Sequence, residues 1–405
     1  MKRDLVGDRV PVPISGRVEA STPTAKRVVV VLLEEKLGTP APAAYWVLHR
    51  PGPFAFLRPP GTYQLFAFED ENEDLAFQRG EPVGWYGKPS SVLAAPGHRV
   101  EGLEVQLRRS GREAAARVEA TLARANLRAL PRQRHAGGVT RLDDPRFSAS
   151  TGKLGLWDPS LFLERYGMGI HFLQPFEPGK VPVLFVHGAS GYPQEWAPLV
   201  SDLDRSRFQP WVFQYPSGLR LQVVSDALAD LLEELRARHR LGTVFVVAHS
   251  MGGLVSRTAI ALRRAGGDEG GVSLFVTIST PWRGHDAARL GVQHSPVVVP
   301  SWNDMAPGSA FLRALRASPL PPDVAYHLFF GYRGGETLTM RENSDRSVTL
   351  QSMLDPAAQG EAVRLHGFFE DHQSILQSAD VSRALGKLMA DAADRVERRA
   401  ASVPR

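Results

Sequence analysis

The segment Val244-Phe-Val-Val-Ala-His-Ser-Met-Gly-Gly-Leu254 constrains this chain more than any other stretch. The apolar, partly β-branched run Val244–Ala248 reads as a buried strand, and a helical pattern over Leu254–Arg263 follows almost at once. A strand that turns into a helix at a single serine needs small residues two before and two after it, here Ala248 and Gly252. Such a turn lifts the Ser250 hydroxyl above the sheet, and the helix N-terminus beneath it favours developing negative charge. Ser-x-Gly occurs by chance in many turns, but the strand–turn–helix setting marks Ser250 as a nucleophile and His249 as its neighbour pointing away from the chemistry.

From Tyr166 onward, buried-strand runs alternate with helical stretches. Val183–Val186, Trp211–Tyr215, Val244–Ala248, Leu274–Ile278 and His327–Tyr332 read as strands. Val224, Leu228, Leu231, Leu232 and Leu235 recur at helical spacing, with Gly242 as the expected stop, and Ser382–Arg398 reads as a closing helix. This alternation predicts a mostly parallel sheet with helices on both faces.

A serine nucleophile needs a base, and the base an acidic orienter. Ala248-His-Ser-Met-Gly-Gly253 resembles the elbow of α/β-hydrolase lipases and esterases, with Ala248 where the commoner pattern has glycine, and the resemblance runs from about Tyr166 to Arg398. It implies the chain order Ser, Asp/Glu, His. Asn343-Ser-Asp-Arg-Ser-Val-Thr-Leu-Gln-Ser352 is similar to the family's Ser-Asp-Gly-x-Val-Pro-Leu-x-Ser motif and makes Asp345 the acid, with Arg346 and Thr349 departing from Gly and Pro. Phe368-Phe-Glu-Asp-His-Gln-Ser-Ile-Leu376 resembles the Asp-His-x-x-Leu segment and makes His372 the base, with His366 in reserve. Val186-His-Gly-Ala-Ser-Gly191 resembles the family's oxyanion loop, which implies the amides of Ala189 and Met251 as the oxyanion donors. His187 has the chemistry of a base, but its favoured reading is a buried, loop-stabilising histidine. Ser279-Thr-Pro-Trp-Arg-Gly284 and Asp304-Met-Ala-Pro-Gly-Ser309 are also similar to lipase motifs. The apolar, turn-rich stretch Ala287–Trp302 between them is either a cap over the acyl pocket or an ordinary helical excursion.

A chain of 405 residues exceeds one compact domain. Its first hundred residues read as all-β: Val28–Leu33 is a β-branched run, Tyr63–Phe68 follows the Pro59-Pro-Gly61 turn, and Leu103, Val105 and Leu107 alternate with polar residues. Gly52-Pro-Phe-Ala-Phe-Leu-Arg-Pro-Pro-Gly-Thr-Tyr63 resembles the transthyretin-like or carboxypeptidase-regulatory sandwiches. The expected division is a β-sandwich accessory domain over 1–109, a helical connector over 110–150 containing the Ala-rich stretch Arg112–Leu127, and an α/β-hydrolase domain over 151–405.

The composition is that of a globular protein, with 43% hydrophobic and 22% charged residues. The net charge of +5 comes without a long Lys/Arg run, which argues against nucleic acid as a partner. The short basic stretch Arg395–Arg399 contains Glu397 and reads as a solvated helix end. The absence of cysteine excludes disulfides, thiolate catalysis and Cys-based zinc sites, and leaves the compartment open. Met1–Ser15 lacks the apolar region of a signal peptide, and no stretch is apolar enough for a membrane helix. The chain as given reads as soluble, and export after removal of a signal is compatible with it. Asp70-x-Asn72-x-Asp74, with Glu81 at the twelfth position, has the spacing of a calcium loop, but Leu75 stands where such a loop needs glycine. The expectation is therefore no metal and no cofactor.

These readings point to acyl transfer to water from an ester or lipid substrate, with peripheral contact to a lipid surface left open. The alternatives are a thioesterase, phospholipase or inositol-deacylase-like hydrolase on the same residues, or a non-catalytic binding protein with a vestigial hydrolase domain.

Overall fold

The β-branched and aromatic runs of the first hundred residues form eight strands in a computed structural model of the protein. The structure describes residues 11–21, 26–36, 39–48, 50–72, 74–87, 91–95, 98–109, 111–122, 134–263, 271–334 and 343–402. The first ten residues of the Met1–Ser15 stretch, and residues 110 and 123–133 of the expected connector, the last five positions of its Ala-rich stretch included, lie outside them. The chain divides into two compact units, one of Met1–His135 with Asp158–Met168, the other of Ala136–Trp157 with Gly169–Arg405.

In the first unit, β1 (Val12–Ala20), β2 (Arg27–Lys36), β3 (Thr39–Leu48), β4 (Pro53–Arg58), β5 (Gly61–Asp70), β6 (Pro82–Trp85), β7 (Val92–Ala94) and β8 (Val100–Arg109) follow the order β3-β2-β5-β6-β8-β1-β4, with β7 beside β5. Pro40 and Pro42 lie on β3 at one end of this path, where a missing N–H costs least. The run in β2 is buried on both faces, which explains why it lacks apolar–polar alternation. Val28, Val30 and Leu32 pack with Ile14, Phe54, Phe56, Leu103 and Val105, closing β2 and β5 over β1, β4 and β8 as the two layers of a sandwich. Val29, Val31 and Leu33 face the other way, to Phe66, Phe68 and Val118. Val118 belongs to the helix Arg112–Leu122, which covers the outer face of this sheet. That helix packs as part of the strand unit.

In the second unit, β9 (Arg134–Val139), β10 (Met168–Phe172), β11 (Val181–Val186), β12 (Phe208–Gln214), β13 (Thr243–His249), β14 (Gly271–Ile278), β15 (Ala325–Gly331) and β16 (Arg364–Phe368) form a sheet in the order β16-β15-β14-β13-β11-β12-β10-β9. The pairs from β12 through β11, β13, β14 and β15 to β16 are parallel, and β10 runs antiparallel to β12. β12 and β13 are buried along their whole length, as a parallel sheet covered on both faces requires. One face, with Val183, Phe185, Phe245 and Val276, packs against Val381, Leu385, Met389 and Ala393 of the last helix, Ala379–Ser402, an i, i+4 stripe. The helix Leu221–His239 packs along Met251–Arg263. It ends before the expected Gly242: Arg240 takes the left-handed cap at φ 51° and its N–H closes on the Arg236 carbonyl.

Among the described residues no helix is long and apolar enough to cross a membrane.

Candidate active site

Ser250 lies between β13 and the helix Met251–Arg263, with φ of 54°. A non-glycine residue in this region is strained, and the strain is held by its surroundings. The Ser250 N–H donates to the Ile278 carbonyl at 2.8 Å, and the Gly253 N–H returns to the Ser250 carbonyl at 3.0 Å. The glycines are steric requirements: a Cβ on Gly252 would lie 2.4 Å from the His187 carbonyl oxygen, and one on Gly188 would lie 2.8 Å from the Ser250 Cβ.

Four loops at the carboxyl ends of parallel strands converge here: His187–Gly191 after β11, the Ser250 turn after β13, the Asp345 turn beyond β15, and His372 beyond β16. This end of the sheet is where open α/β folds place their sites. The His372 Nε2 is 3.0 Å from the Ser250 Oγ, and its Nδ1 is 2.7 Å from Asp345 Oδ2. Asp345 is fully buried. Its Oδ1 accepts the N–H groups of Ser347 and Val348 at 3.0 and 2.7 Å. Burial alone raises this carboxyl, but the hydrogen bond and charge of His372 and the two amides outweigh it, and Asp345 is held below the ordinary carboxylate value. Arg346, at the family's glycine position, takes φ of 74°, the left-handed geometry that glycine adopts freely. Thr349, at the proline position, caps the turn Leu350–Met353 by accepting the Ser352 N–H on its hydroxyl.

His366 sits elsewhere. It lies within β16, paired with Phe329 of β15, and its ring packs on that phenylalanine at 4.7 Å. His187 is buried, stacks on Tyr215 at 4.2 Å, and is driven down to a pKa of about 4 by burial, so it is neutral. The Tyr215 hydroxyl donates to the His187 carbonyl at 2.6 Å, which anchors the loop. His249 is also buried and lowered to about 3, and its Nε2 is 3.0 Å from the His372 carbonyl oxygen. Met251 is the first residue of its helix, so its N–H has no intrahelical acceptor. Ala189 is exposed at the cavity wall, and its N–H meets no acceptor among the described residues.

The cavity over Ser250 holds about 380 Å³. Part of its wall is the stretch read as a cap or excursion: Ala287 and Ala288 on the helix Asp286–His294, and Trp302 and Met305 on Pro300–Met305. Three wall residues, Tyr192, Glu195 and His285, belong to no motif of the sequence. His285 caps its helix by accepting the Ala287 N–H. Glu195 follows the oxyanion-type loop; its Oε1 is out of solvent without a hydrogen-bond partner, and burial raises its pKa to about 8. The burial of this one carboxyl oxygen has no signature in the sequence.

The acidic loop of the first unit closes on its own backbone. Asp70 accepts the N–H groups of Asp74 and Leu75, and Glu81 those of Glu71 and Gln78. Leu75 makes the sharp turn itself at φ of 62°. Among the described residues no group of three or more His, Cys, Asp or Glu side chains converges as a metal site.

A sequence profile of the alpha/beta hydrolase family matches residues 183–403, more than half of the chain. The chain belongs to that family. Its structure is similar to the mature lipase of Bacillus licheniformis, at 19% identity over 54% of this chain and 97% of that one, with a TM-score of 0.44. It is similar to a carboxylesterase of Nitrososphaera gargenis at 12% identity, 57% and 97% coverage and a TM-score of 0.39. For the Staphylococcus hyicus lipase the values are 11%, 56%, 99% and 0.39. No curated protein sequence matches the chain.

Proposed function

We propose that this chain is a serine hydrolase of carboxylic esters that works through an acyl-enzyme on Ser250. The observation that carries this reading is the line Asp345–His372–Ser250, with contacts of 2.7 and 3.0 Å, beside a cavity that opens on the serine. In it, Ser250 Oγ attacks the ester carbonyl while His372 Nε2 takes its proton. Asp345 holds the Nδ1–H and balances the imidazolium. The amides of Ala189 and Met251 receive the oxyanion. The imidazolium then returns its proton to the departing alcohol. Water, activated by the same ring, attacks the acyl-enzyme and frees the acid. Every proton is passed and returned by His372, so the chain's own residues suffice.

The test is turnover of p-nitrophenyl esters, with matched thioesters, by the wild type and Ser250→Ala. The expected result is ester turnover that Ser250→Ala reduces by about 10³-fold or more. Wild-type turnover of thioesters alone would move the reading to a thioesterase. Retention of a tenth of wild-type kcat by Ser250→Ala would remove Ser250 from its role.

A further inference from the structure

His372 belongs to no helix or strand. It lies between the end of β16 at Phe368 and the turn Ser374–Gln377, so neither ladder fixes its backbone. Two hydrogen bonds hold it instead. Its N–H donates to the Asp345 carbonyl at 2.8 Å, and its carbonyl oxygen faces His249 Nε2 at 3.0 Å. A carbonyl oxygen only accepts, so Nε2 of His249 bears the proton and donates it.

We infer that His249 is a positioning residue for the base: it ties the main chain of His372 to the turn that carries Ser250 and thereby sets the distance between the two reacting groups. The inference rests on the triad reading above. His249 precedes the nucleophile by one residue, so its place is fixed by the same strained turn. It is buried, with the Trp196 ring edge-on at 6.5 Å, so its ring has little freedom. The pair of rings, His249 and His372, lies 4.7 Å between centroids. At that separation two imidazolium charges would repel, and the base carries such a charge during each turnover. The titratable groups facing His249 are His372, Asp345 and His187; burial and the histidines favour its neutral form, while Asp345 and the bond to His372 oppose this. A neutral donor gives the base a fixed backbone without competing for its proton.

The experiment compares His249→Gln, whose amide supplies an N–H at a similar reach, with His249→Phe, which fills the space and donates nothing. On a p-nitrophenyl ester, H249F is expected to lose about 10- to 100-fold in kcat with a smaller change in KM, the scale of a misplaced catalytic group. H249Q is expected to recover most of that loss. A kcat for H249F within about twofold of wild type, or H249Q as impaired as H249F with both variants folded, overturns the inference. Should H249F not fold, nitrogen-15 NMR of the wild-type histidines decides. The inference requires His249 as the Nε2–H tautomer, with no titration across the active pH range, and an Nδ1–H tautomer or titration within that range overturns it. Absence of ester turnover by the wild type would sink the triad reading instead, and is distinguishable because the tautomer of His249 is measured independently.

Discussion

Asp345 and His372 are joined twice, once by side chains, Oδ2 to Nδ1 at 2.7 Å, and once by backbone, with the His372 N–H on the Asp345 carbonyl at 2.8 Å. The second bond keeps the ring near the acid even when the carboxylate is changed. Asp345→Asn is therefore expected to leave the fold in place and to lower kcat by about 10⁴-fold, because an amide that donates to Nδ1 selects the tautomer with Nε2–H, which has no lone pair for the serine proton. A kcat within tenfold of wild type would show that the acid acts from another residue.

His372→Ala is expected to match Ser250→Ala in severity, and the double variant to lose little more, since the groups act as a unit. His366→Ala, which removes a ring packed on Phe329 in β16, should change kcat by no more than a modest factor. Steady-state kinetics of the four proteins checks both statements, and reversed severities would pass the base to His366.

Gly252→Ala should destabilise the protein by about 1–3 kcal/mol or more, because its Cβ would press on the carbonyl oxygens of both His187 and Val186, which are backbone and have no room to yield. Gly242→Ala, where the space around the Cβ is open, should stay within about 0.5 kcal/mol of wild type. Urea titration of the two variants measures the contrast; equal stabilities would mean that the elbow tolerates a side chain.

Glu195 makes stability pH-dependent in a stated direction. Its carboxyl is raised from an ordinary 4.5 to about 8 by burial, so between those values the folded chain binds the proton more tightly than the unfolded one. Stability contributed by this group then falls as pH rises through that window. Glu195→Gln removes the titration. Relative to wild type, the variant should gain in Tm on going from about pH 4 to about pH 9. A Tm difference that stays constant across that range would show that Glu195 is ionised when buried, or solvated.

Much of the hydrolase unit was legible in the chain because its parallel strands are buried on both faces and read as continuous apolar runs, β13 above all. Helix limits were less so. Gly242 was the expected stop after Leu235, yet the helix ends at His239 and Arg240 takes the left-handed cap, its N–H closing on the Arg236 carbonyl. The two departures in the acid motif, Arg346 and Thr349, left their backbone conformations open; only the fold shows that an arginine is held at φ of 74° and that a threonine hydroxyl takes over the cap. In the first unit, the same burial of β2 on both faces hid the fact that one face belongs to a helix, Arg112–Leu122, more than seventy residues later.

The sequence by itself determined the turn at Ser250. Its steric demands lie within a few residues: a strand that ends, a small residue on each side, and a helix that starts. Such short-range exclusion is written directly in residue type. The motif around His372 favoured it over His366, and the tertiary structure supplied the distance: His366 lies inside β16, whereas His372 lies beyond it with its Nε2 3.0 Å from the Ser250 Oγ. The tertiary structure also decided that His187 and His249 are neutral, that the Glu195 Oε1 is out of solvent without a hydrogen-bond partner, and that Ala287, Trp302 and Met305 wall the cavity. Those properties depend on desolvation and on distances between segments far apart in the chain, and neither quantity exists until the sheet is assembled.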